Sequence, residues 1–589
     1  MKPSHTIPAN MLDDVRTVLR VVFGDLDSEE LESVISHSLW LRMKSGDCLF
    51  KRGDVGGELF IVIHGKLSVQ QELNNQKVKL KELFKGEIVG EMALISETER
   101  NADVVALRDS HLISISKQEF ETLYLRHPAI GLSLSRMIIQ RLQPHPKERQ
   151  TRMIRNVVLY PGSNEVDTNH LINQIEVHFK NNRVLIVKDK SELRVPEKEH
   201  TQASWIRASA RLANKYELIF FLADRQLTDW TEFCLGQADE LLILFEAGNG
   251  GSLNIDDLFS KETLAQSSVV ILHPAQSRLP SNTNELTGDL TPDNIFHIRK
   301  GNSRDFRRLM RHLNQETTGL VLAGGGARGM AHLGVWKAIK EAELEIDMIG
   351  GVSMGAFLGG VMGFDWEFEM IYDICKEISV SKPSSDYNPV PYASFIRGVN
   401  LDRILKKYYL ANDIEDCWIP FYCISSDLYN LRPCVHKSGN MFKAIRASGS
   451  LPGIVPPIPV DGRWLYDGGV FNNFPVDIMV RSGIQKIIGV SFLSIEESNT
   501  LHEDIPTVRD QFRYGVLKSK PEYRIPSMVE TIMQSTVANS YQKQKQAEKQ
   551  VDFLVAPDVS EYGLLDWKAF KKVVDIGYRE AIKVIKGKE

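Results

Sequence analysis

A chain of 589 residues has room for about three or four domains, and its 43% hydrophobic and 25% charged content is that of an ordinary globular protein. The formal net charge of -5 excludes the strongly basic footprint of a general nucleic-acid binder. Six cysteines (Cys48, Cys234, Cys375, Cys417, Cys423 and Cys434) are few for the length, and no two have C-x-x-C spacing. Neither a zinc site nor a disulfide framework is expected, and no metal is assigned. The N-terminus has no apolar run of signal-peptide type, so a cytoplasmic protein is expected.

Met11 to Phe23 is helix-like, and from Leu26 to about Gln143 short alternating runs follow. Strands are expected at Cys48–Phe50, Glu58–Ile63, Lys66–Val69, Asp103–Leu107 and His111–Ile115, split by Gly46, Gly53, Gly56, Gly57, Gly65, Gly86 and Gly90. That texture predicts a small antiparallel β-roll. Amphipathic helices are expected at Lys117–Leu125 and Ala129–Leu142. Pro144 to Arg155 is charged, carries two prolines and reads as a solvated linker.

An α/β rhythm begins near Ile154. Apolar strands are expected at Val157–Tyr160, Val184–Val187, Glu217–Leu222, Glu240–Phe245, Ser268–Leu272 and Ile295–Ile298, with helices such as His170–Phe179 and Ser204–Tyr216 between them. Alternation of this kind predicts a parallel sheet with covering helices. Pro161-Gly162-Ser163 lacks the Gly-Lys-Ser/Thr ending of a phosphate loop and is read as structural. Glu246 to Ser252 reads as a flexible loop. The charged, helix-capable run Gly301 to Arg311 marks the next boundary. The expected domains are 1–143, a linker at 144–155, 156–311 and 317–589.

Two glycine-rich turns dominate the last domain. Leu320–Ala323 is a buried-strand run leading into Gly324-Gly325-Gly326-Ala327-Arg328-Gly329, with a helix expected over Arg328–Ala342. Glycines there let backbone amides approach an anion, and a helix start adds unpaired N–H groups. Alone, the turn is also a G-x-G-x-x-G, and a nicotinamide-dependent oxidoreductase stays open on that motif. The strand Ile346–Gly350 then runs into Gly351-Val352-Ser353-Met354-Gly355. This G-x-S-x-G sits between strand and helix, where a sharp turn presents a serine hydroxyl at the carboxyl edge of a sheet. Met348 to Phe364 carries no charge, but its 17 residues fall short of the roughly 20 of a membrane span. A buried strand and helix around a tight turn are expected instead.

A nucleophilic serine needs a base. His332 lies within the expected helix, and His436 and His502 have no motif around them. Asp467 is better placed. It follows Trp464-Leu465-Tyr466 and precedes Gly468-Gly469, with Asn472, Asn473 and Pro475 beyond. Ile525–Gln550 predicts a long helix with a polar second half, and Gly563–Ile585 closing helices.

Two resemblances carry these motifs further. Gly86-Glu87-Ile88-Val89-Gly90-Glu91-Met92-Ala93-Leu94-Ile95 with Arg100-Asn101-Ala102 resembles the phosphate-binding cassette of cyclic-nucleotide-binding domains. The resemblance implies that the turn at Gly90 opens the cassette, that Glu91 accepts from a ribose 2′-OH and that Arg100 pairs with the cyclic phosphate. Asn101 stands where the family has a small Ala, Ser or Thr. G-G-G-x-R-G, G-x-S-x-G and D-G-G, in this order, resemble the patatin-like phospholipase family, which uses a Ser–Asp dyad without histidine. That implies a three-layer αβα hydrolase domain with Ser353 as nucleophile and Asp467 as base. Gly324, Gly325, Gly326 and Gly329 would form the oxyanion hole, stabilised by Arg328. Gly351 and Gly355 would shape the serine turn, and Gly468 and Gly469 the aspartate loop. Arg446 to Gly453 is similar to the family's segment before the aspartate.

The whole set, with the Asp305-Phe306-Arg307-Arg308-Leu309 run, resembles neuropathy target esterase and its bacterial relatives. The expectation is therefore a multidomain serine esterase of phospholipids or lysophospholipids. It would need no cofactor, be regulated by a cyclic nucleotide (cAMP or cGMP) and touch membrane peripherally. An apolar groove is expected from Phe357, Leu358, Val361, Met362 and Phe364 with Ser381–Phe395. The runner-up is a cyclic-nucleotide-responsive binding protein whose hydrolase domain is a scaffold. A transcription regulator is not expected, because no helix-turn-helix follows the roll.

Overall fold

The alternating runs of the N-terminal third close into a β-roll. In the computed structural model its strands are β1 (Leu39–Met43), β2 (Cys48–Phe50), β3 (Glu58–Leu73), β4 (Gln76–Leu83), β5 (Ile88–Val89) and β6 (Asp103–Ser116). They run in the order β1-β6-β3-β4, with β2 on β6 and β5 on β3. The structure describes residues 7–8, 11–23, 28–73, 76–92, 98–126, 154–163, 166–179, 184–195, 202–213, 215–248, 267–288, 290, 292–492, 505, 507–510, 512–513 and 528–587. The expected helix at Ala129–Leu142 and most of the linker at 144–155 lie outside them.

Where four short strands were expected, β3 and β6 each run through. Gly65 does not end β3. It has φ +102, and the pairing with β6 shifts register on either side of it, so the glycine absorbs a bulge within one long strand. β1, with its exposed Arg42, and β4 were not foreseen as strands. The helix Leu12–Phe23 places Val15, Val18, Leu19 and Val22 in a core shared with Leu59, Ile61 and Ile113.

The next strands are β7 (Asn156–Pro161), β8 (Val184–Val187), β9 (Leu218–Leu222), β10 (Glu240–Glu246) and β11 (Ser267–His273). They pair in parallel in the order β8-β9-β7-β10-β11. Gly162 donates its N–H to the Leu244 carbonyl at 2.7 Å, so the turn after β7 is tied back to the neighbouring strand. Contacts divide the chain into two compact units, residues 1–272 with 286–294, and 273–285 with 295–589.

The second unit includes most of β12 (Asn294–Arg299) and the helix Ser303–Leu313, capped by Asn302, which accepts from the amides of Arg304 and Asp305. Two charges of this helix are buried rather than solvated, while Arg304 and Arg307 stay exposed. Asp305 and Arg308 are each about 2% exposed or less. Arg299 grips Asp305 through two nitrogens, at 2.6 and 2.8 Å, and reaches Asp365 at 3.0 Å. Arg311 holds Asp347 just before the next strand pair at 2.6 Å. Removing one member would leave an uncompensated buried charge, so these pairs specify how the helix seats.

The main sheet of this unit contains β13 (Thr318–Leu322), β14 (Met348–Gly351), β15 (Phe421–Asp427), β16 (Arg432–His436), β17 (Ile458–Val460), β18 (Arg463–Asp467), β19 (Lys486–Val490) and β20 (Phe553–Val555). The order is β17-β18-β15-β14-β13-β19-β20, with β16 also on β15. β15, β14, β13, β19 and β20 are mutually parallel, and β16 and β18 run antiparallel to β15. Both faces are buried, as parallel strands require. Leu320 and Leu322 point into one core, Val321 and Ala323 into the other. The uncharged run Met348 to Phe364 becomes β14, a turn and the helix Met354–Gly363. Among the described residues no helix is long and apolar enough to cross a membrane.

Candidate active site

β13 and β14 are parallel neighbours, so the turns that follow them lie side by side at the carboxyl edge of the sheet. The turn after β14 is sharp. Ser353 holds φ +56 and ψ -119, a left-handed backbone that a residue with a Cβ adopts only when its surroundings enforce it. A side chain at Gly351 would strike the Gly355 carbonyl, and one at Gly355 would strike that of Leu322. The strain therefore depends on both glycines. The Ser353 N–H donates to the Ser448 hydroxyl at 2.9 Å, which fixes the turn from the opposite wall.

Asp467 ends β18, directly across from Ser425 of β15. Its N–H donates to the Ser450 carbonyl at 2.9 Å. Its carboxylate accepts the Gly469 N–H at 2.8 Å, and the Ser353 hydroxyl lies close enough to favour its charge. The residue is 3% exposed. Burial pushes its carboxyl up from 3.8 to about 6, against the opposing pull of the Gly469 N–H and the Ser353 hydroxyl. A carboxylate with that value is ionised at neutral pH and still basic enough to accept a hydroxyl proton.

Gly324, Gly325, Gly326, Ser353, Asp467, Gly469 and Asn473 all border one cavity of about 180 Å³. Its remaining walls are apolar, among them Phe357, Ile378, Leu405, Ile445, Leu451 and Trp567. Among the described residues, the N–H groups of Gly325, Gly326 and Met354 make no hydrogen bond, whereas that of Gly324 leans on the Asn473 carbonyl at 3.3 Å and that of Ala327 on Leu564 at 2.8 Å. Arg328 turns away from the cavity. Its guanidinium donates to the carbonyls of Tyr562 at 2.6 Å and Ser560 at 2.9 Å, tying the glycine turn to the C-terminal segment. Gly329 packs under Met354, and Gly468 lies against the Ile424 backbone; neither borders the cavity. Of the apolar set read from the sequence as a groove, Phe357 lines the cavity, while Leu358, Val361, Met362 and Phe364 belong to the core.

Gly326 has φ +53, and a Cβ there would collide with the Leu564 carbonyl. Gly326→Ala should therefore displace the turn and lower kcat by about 10²–10³-fold with KM little changed, the signature of a lost oxyanion donor. Steady-state kinetics on a soluble ester measures this; an unchanged kcat would remove Gly326 from the site.

Among the described residues no histidine replaces Asp467. His332 is fully buried, its Nε2–H donating to the Ala323 carbonyl at 2.8 Å, and burial lowers it to about 4. His436 pairs with Ser425 at 2.7 Å, and burial lowers it to about 4 too. His502 lies outside the described residues.

Several residues near the site were given no individual role from the sequence. Arg446, 2% exposed, bonds Asp402, the Ser450 hydroxyl at 2.6 Å and the Pro456 carbonyl at 3.2 Å, and so braces the segment that holds Asp467. Asn473 reaches the Gly324 carbonyl at 3.4 Å and Gln544 at 3.1 Å; Gln544 reaches Ser491, and Ser491 reaches Glu548. This buried polar chain anchors the helix Met528–Glu548 to the glycine turn.

In the roll, Arg100 and Gly90 meet, and Glu91 is close enough to favour the Arg100 charge. Arg100 is 5% exposed and stacks on Phe50 at 4.2 Å. Its terminal nitrogens donate to the carbonyls of Gly90 and Glu58, both at 2.9 Å. Asn101 turns its amide toward the Met92 sulfur at 3.9 Å. Among the described residues the Arg100 Nε–H makes no hydrogen bond. Ala93 to Ile95 lie outside the described residues. Among the described residues no cluster could hold a metal ion.

A G-x-S-x-G turn at the carboxyl edge of a mainly parallel sheet, beside a second glycine turn and a buried aspartate, defines the class: an α/β protein with a strained serine turn at the edge of its sheet. Comparison with protein families makes it specific. Residues 320–480 match the patatin-like phospholipases, 40–127 the cyclic nucleotide-binding domain, and 189–315 the neuropathy target esterase family P-loop like domain. The chain thus carries three regions that match known domain families, in the order cyclic nucleotide-binding, neuropathy target esterase P-loop like and patatin-like. It is similar to proteins named lysophospholipase NTE1. The Mycosarcoma maydis protein is 26% identical over 93% of this chain and 34% of its own length. That of Candida albicans is 25% identical over 92% and 46%, and that of Aspergillus fumigatus 26% over 92% and 41%. The chain spans between a third and a half of the length of these relatives.

Proposed function

We propose that the chain is a serine esterase that releases fatty acid from phospholipids or lysophospholipids, with its active site in a three-layer αβα domain. The observation that carries the reading is the buried Asp467 carboxylate beside the Ser353 hydroxyl at the wall of an apolar cavity. Asp467 takes the Ser353 proton as the oxygen attacks the ester carbonyl. The oxyanion is held by the amides of Gly325 and Gly326, with that of Met354 (the residue after the nucleophile) as a third donor. Collapse breaks the ester bond, and the departing alkoxide takes the proton back from Asp467. Water then gives a proton to Asp467 and attacks the acyl-serine; the ester bond to Ser353 breaks, the fatty acid leaves, and the Ser353 oxygen takes the proton back from Asp467. The apolar walls take the acyl chain. The relatives' name supports the lysophospholipid as substrate.

The roll is proposed as a regulatory module that takes cAMP or cGMP. Its phosphate would replace the carbonyls of Gly90 and Glu58 on Arg100, and Glu91 would meet the ribose. The test is fatty-acid release from lysophosphatidylcholine, with and without each nucleotide. Release by the wild type is expected, changed about fivefold or more at saturating nucleotide, with the change lost in Arg100→Gln. No release rejects the esterase. Release without binding heat or rate change rejects the gate.

A further inference from the structure

Residues 383–398 form a short hairpin that the esterase mechanism leaves unused at its tip. Tyr387 and Ile396 pair in an antiparallel bridge. Asn388 donates its N–H to the Phe395 carbonyl at 2.7 Å and its side-chain amide to that of Ser394 at 3.2 Å. The tip is Pro389-Val390-Pro391-Tyr392, and the two prolines hold it stiff. The base is built into the cavity wall. Pro383, Ser384, Ile396 and Gly398 border the cavity. Phe395 and Ile396 donate to the carbonyls of Gly453 and Ile454, both at 2.9 Å, and Ser384 accepts from the Trp567 indole at 3.0 Å.

The tip faces solvent with the wrong chemistry for solvent. Tyr387 is 74% exposed, Val390 73% and Tyr392 99%. A fixed loop that holds large apolar side chains in water marks a binding surface. Its charge points to the partner. Asp386 is the one acidic residue between Lys382 and Arg397, and its carboxylate is taken up by the amides of Val399 and Asn400. Lys382 and Arg397 are exposed. Tyrosine beside aliphatic residues suits the headgroup boundary of a bilayer, and cationic flanks suit anionic lipid.

We propose that this hairpin docks the protein on an anionic lipid bilayer, setting the cavity mouth at the surface from which its substrate comes. The choice of a bilayer rests on the lipid-ester reading above. Stiffness lowers the ordering cost of docking.

The test is co-sedimentation of the full chain with phosphatidylcholine vesicles, with and without phosphatidylglycerol. Wild type should sediment, more so with phosphatidylglycerol. The triple variant Tyr387→Ser, Val390→Ser, Tyr392→Ser should partition at least about tenfold less, while turning over a water-soluble short-chain ester as wild type does. A separate variant, Tyr392→Trp, should shift its added indole emission to shorter wavelength on phosphatidylglycerol vesicles. Wild type that stays in solution, a triple variant that sediments like wild type, or indole emission of the Tyr392→Trp variant unmoved by vesicles each overturns the proposal. So does a wild-type dimer that the triple variant converts to monomer without loss of vesicle binding, since the hairpin would then serve a second copy. Vesicle binding requires no turnover, so a protein that binds vesicles but cleaves no ester sinks the esterase reading and leaves the docking surface standing.

Discussion

Ser353→Ala is expected to remove all labelling by a fluorophosphonate probe and to lower ester turnover by about 10⁴–10⁶-fold. The magnitude follows from the site's construction. Ser353 is the hydroxyl beside the buried carboxylate, and among the described residues no histidine borders the cavity. Ser448 accepts the Ser353 N–H and is fully buried, and Ser384 at the cavity wall accepts from the Trp567 indole. Alanine removes only the hydroxyl, so KM and the thermal midpoint should stay close to wild type. Probe labelling of Ser353→Ala comparable to wild type would show that the nucleophile lies elsewhere.

Asp467→Asn should cost about 10⁴-fold in kcat, because the amide retains the shape and the Gly469 contact but cannot take a proton. The wild-type pH profile is linked to the same group. With its carboxyl at about 6, kcat/KM should be half-maximal near pH 6 and fall about tenfold per pH unit below it. Stability should run the other way. The folded value lies above the unfolded 3.8, so folding favours the protonated form. That contribution is fully present below the unfolded value and is lost as pH rises through about 6. At neutral pH the buried charge then costs up to about 3 kcal/mol, which Asn does not incur. An inactive Asp467→Asn protein with a midpoint a few degrees higher at pH 7.5, and no gain at pH 4, is the expected pair of results. An acid limb near pH 6 that persists in Asp467→Asn at comparable rate would assign the base to another group.

The site was legible because its parts are local. A strand, a glycine turn and a helix read directly from Leu320–Gly329 and again from Ile346–Gly355, and steric exclusion at Gly351 and Gly355 is a property of the turn itself. The strands of the middle region were legible for a similar reason: fully buried parallel strands are unbroken apolar runs. The roll was harder. Gly65 reads as a strand end but serves as a bulge, because a partner strand supplies the register shift that no single strand encodes. β4 alternates with lysines, and its strand character comes from pairing with β3.

Burial of charge was the least legible property. Asp305 and Arg308 belong to a run read as charged and helix-capable, and Arg446 to a segment read by its likeness to a family; nothing in either signals burial. Each is buried beside a partner from elsewhere in the fold: Arg299 for Asp305, the Trp418 carbonyl for Arg308 and Asp402 for Arg446. Arg100 shows the same in reverse. Its spacing from Gly90 and Glu91 matches a phosphate grip, yet its guanidinium rests on two carbonyls, one of them contributed by Glu58 far away in the chain. Sequence alone determined the two glycine turns, the serine between strand and helix, and the aspartate before two glycines, because each depends on short-range sterics. Tertiary structure alone decided which amides stay unpaired, that Asp467 is desolvated enough to act as a base, and that Arg328 clamps a loop instead of facing the cavity. Those properties depend on what the folded chain brings within a few ångströms, and hydrogen bonding and desolvation act only at that range.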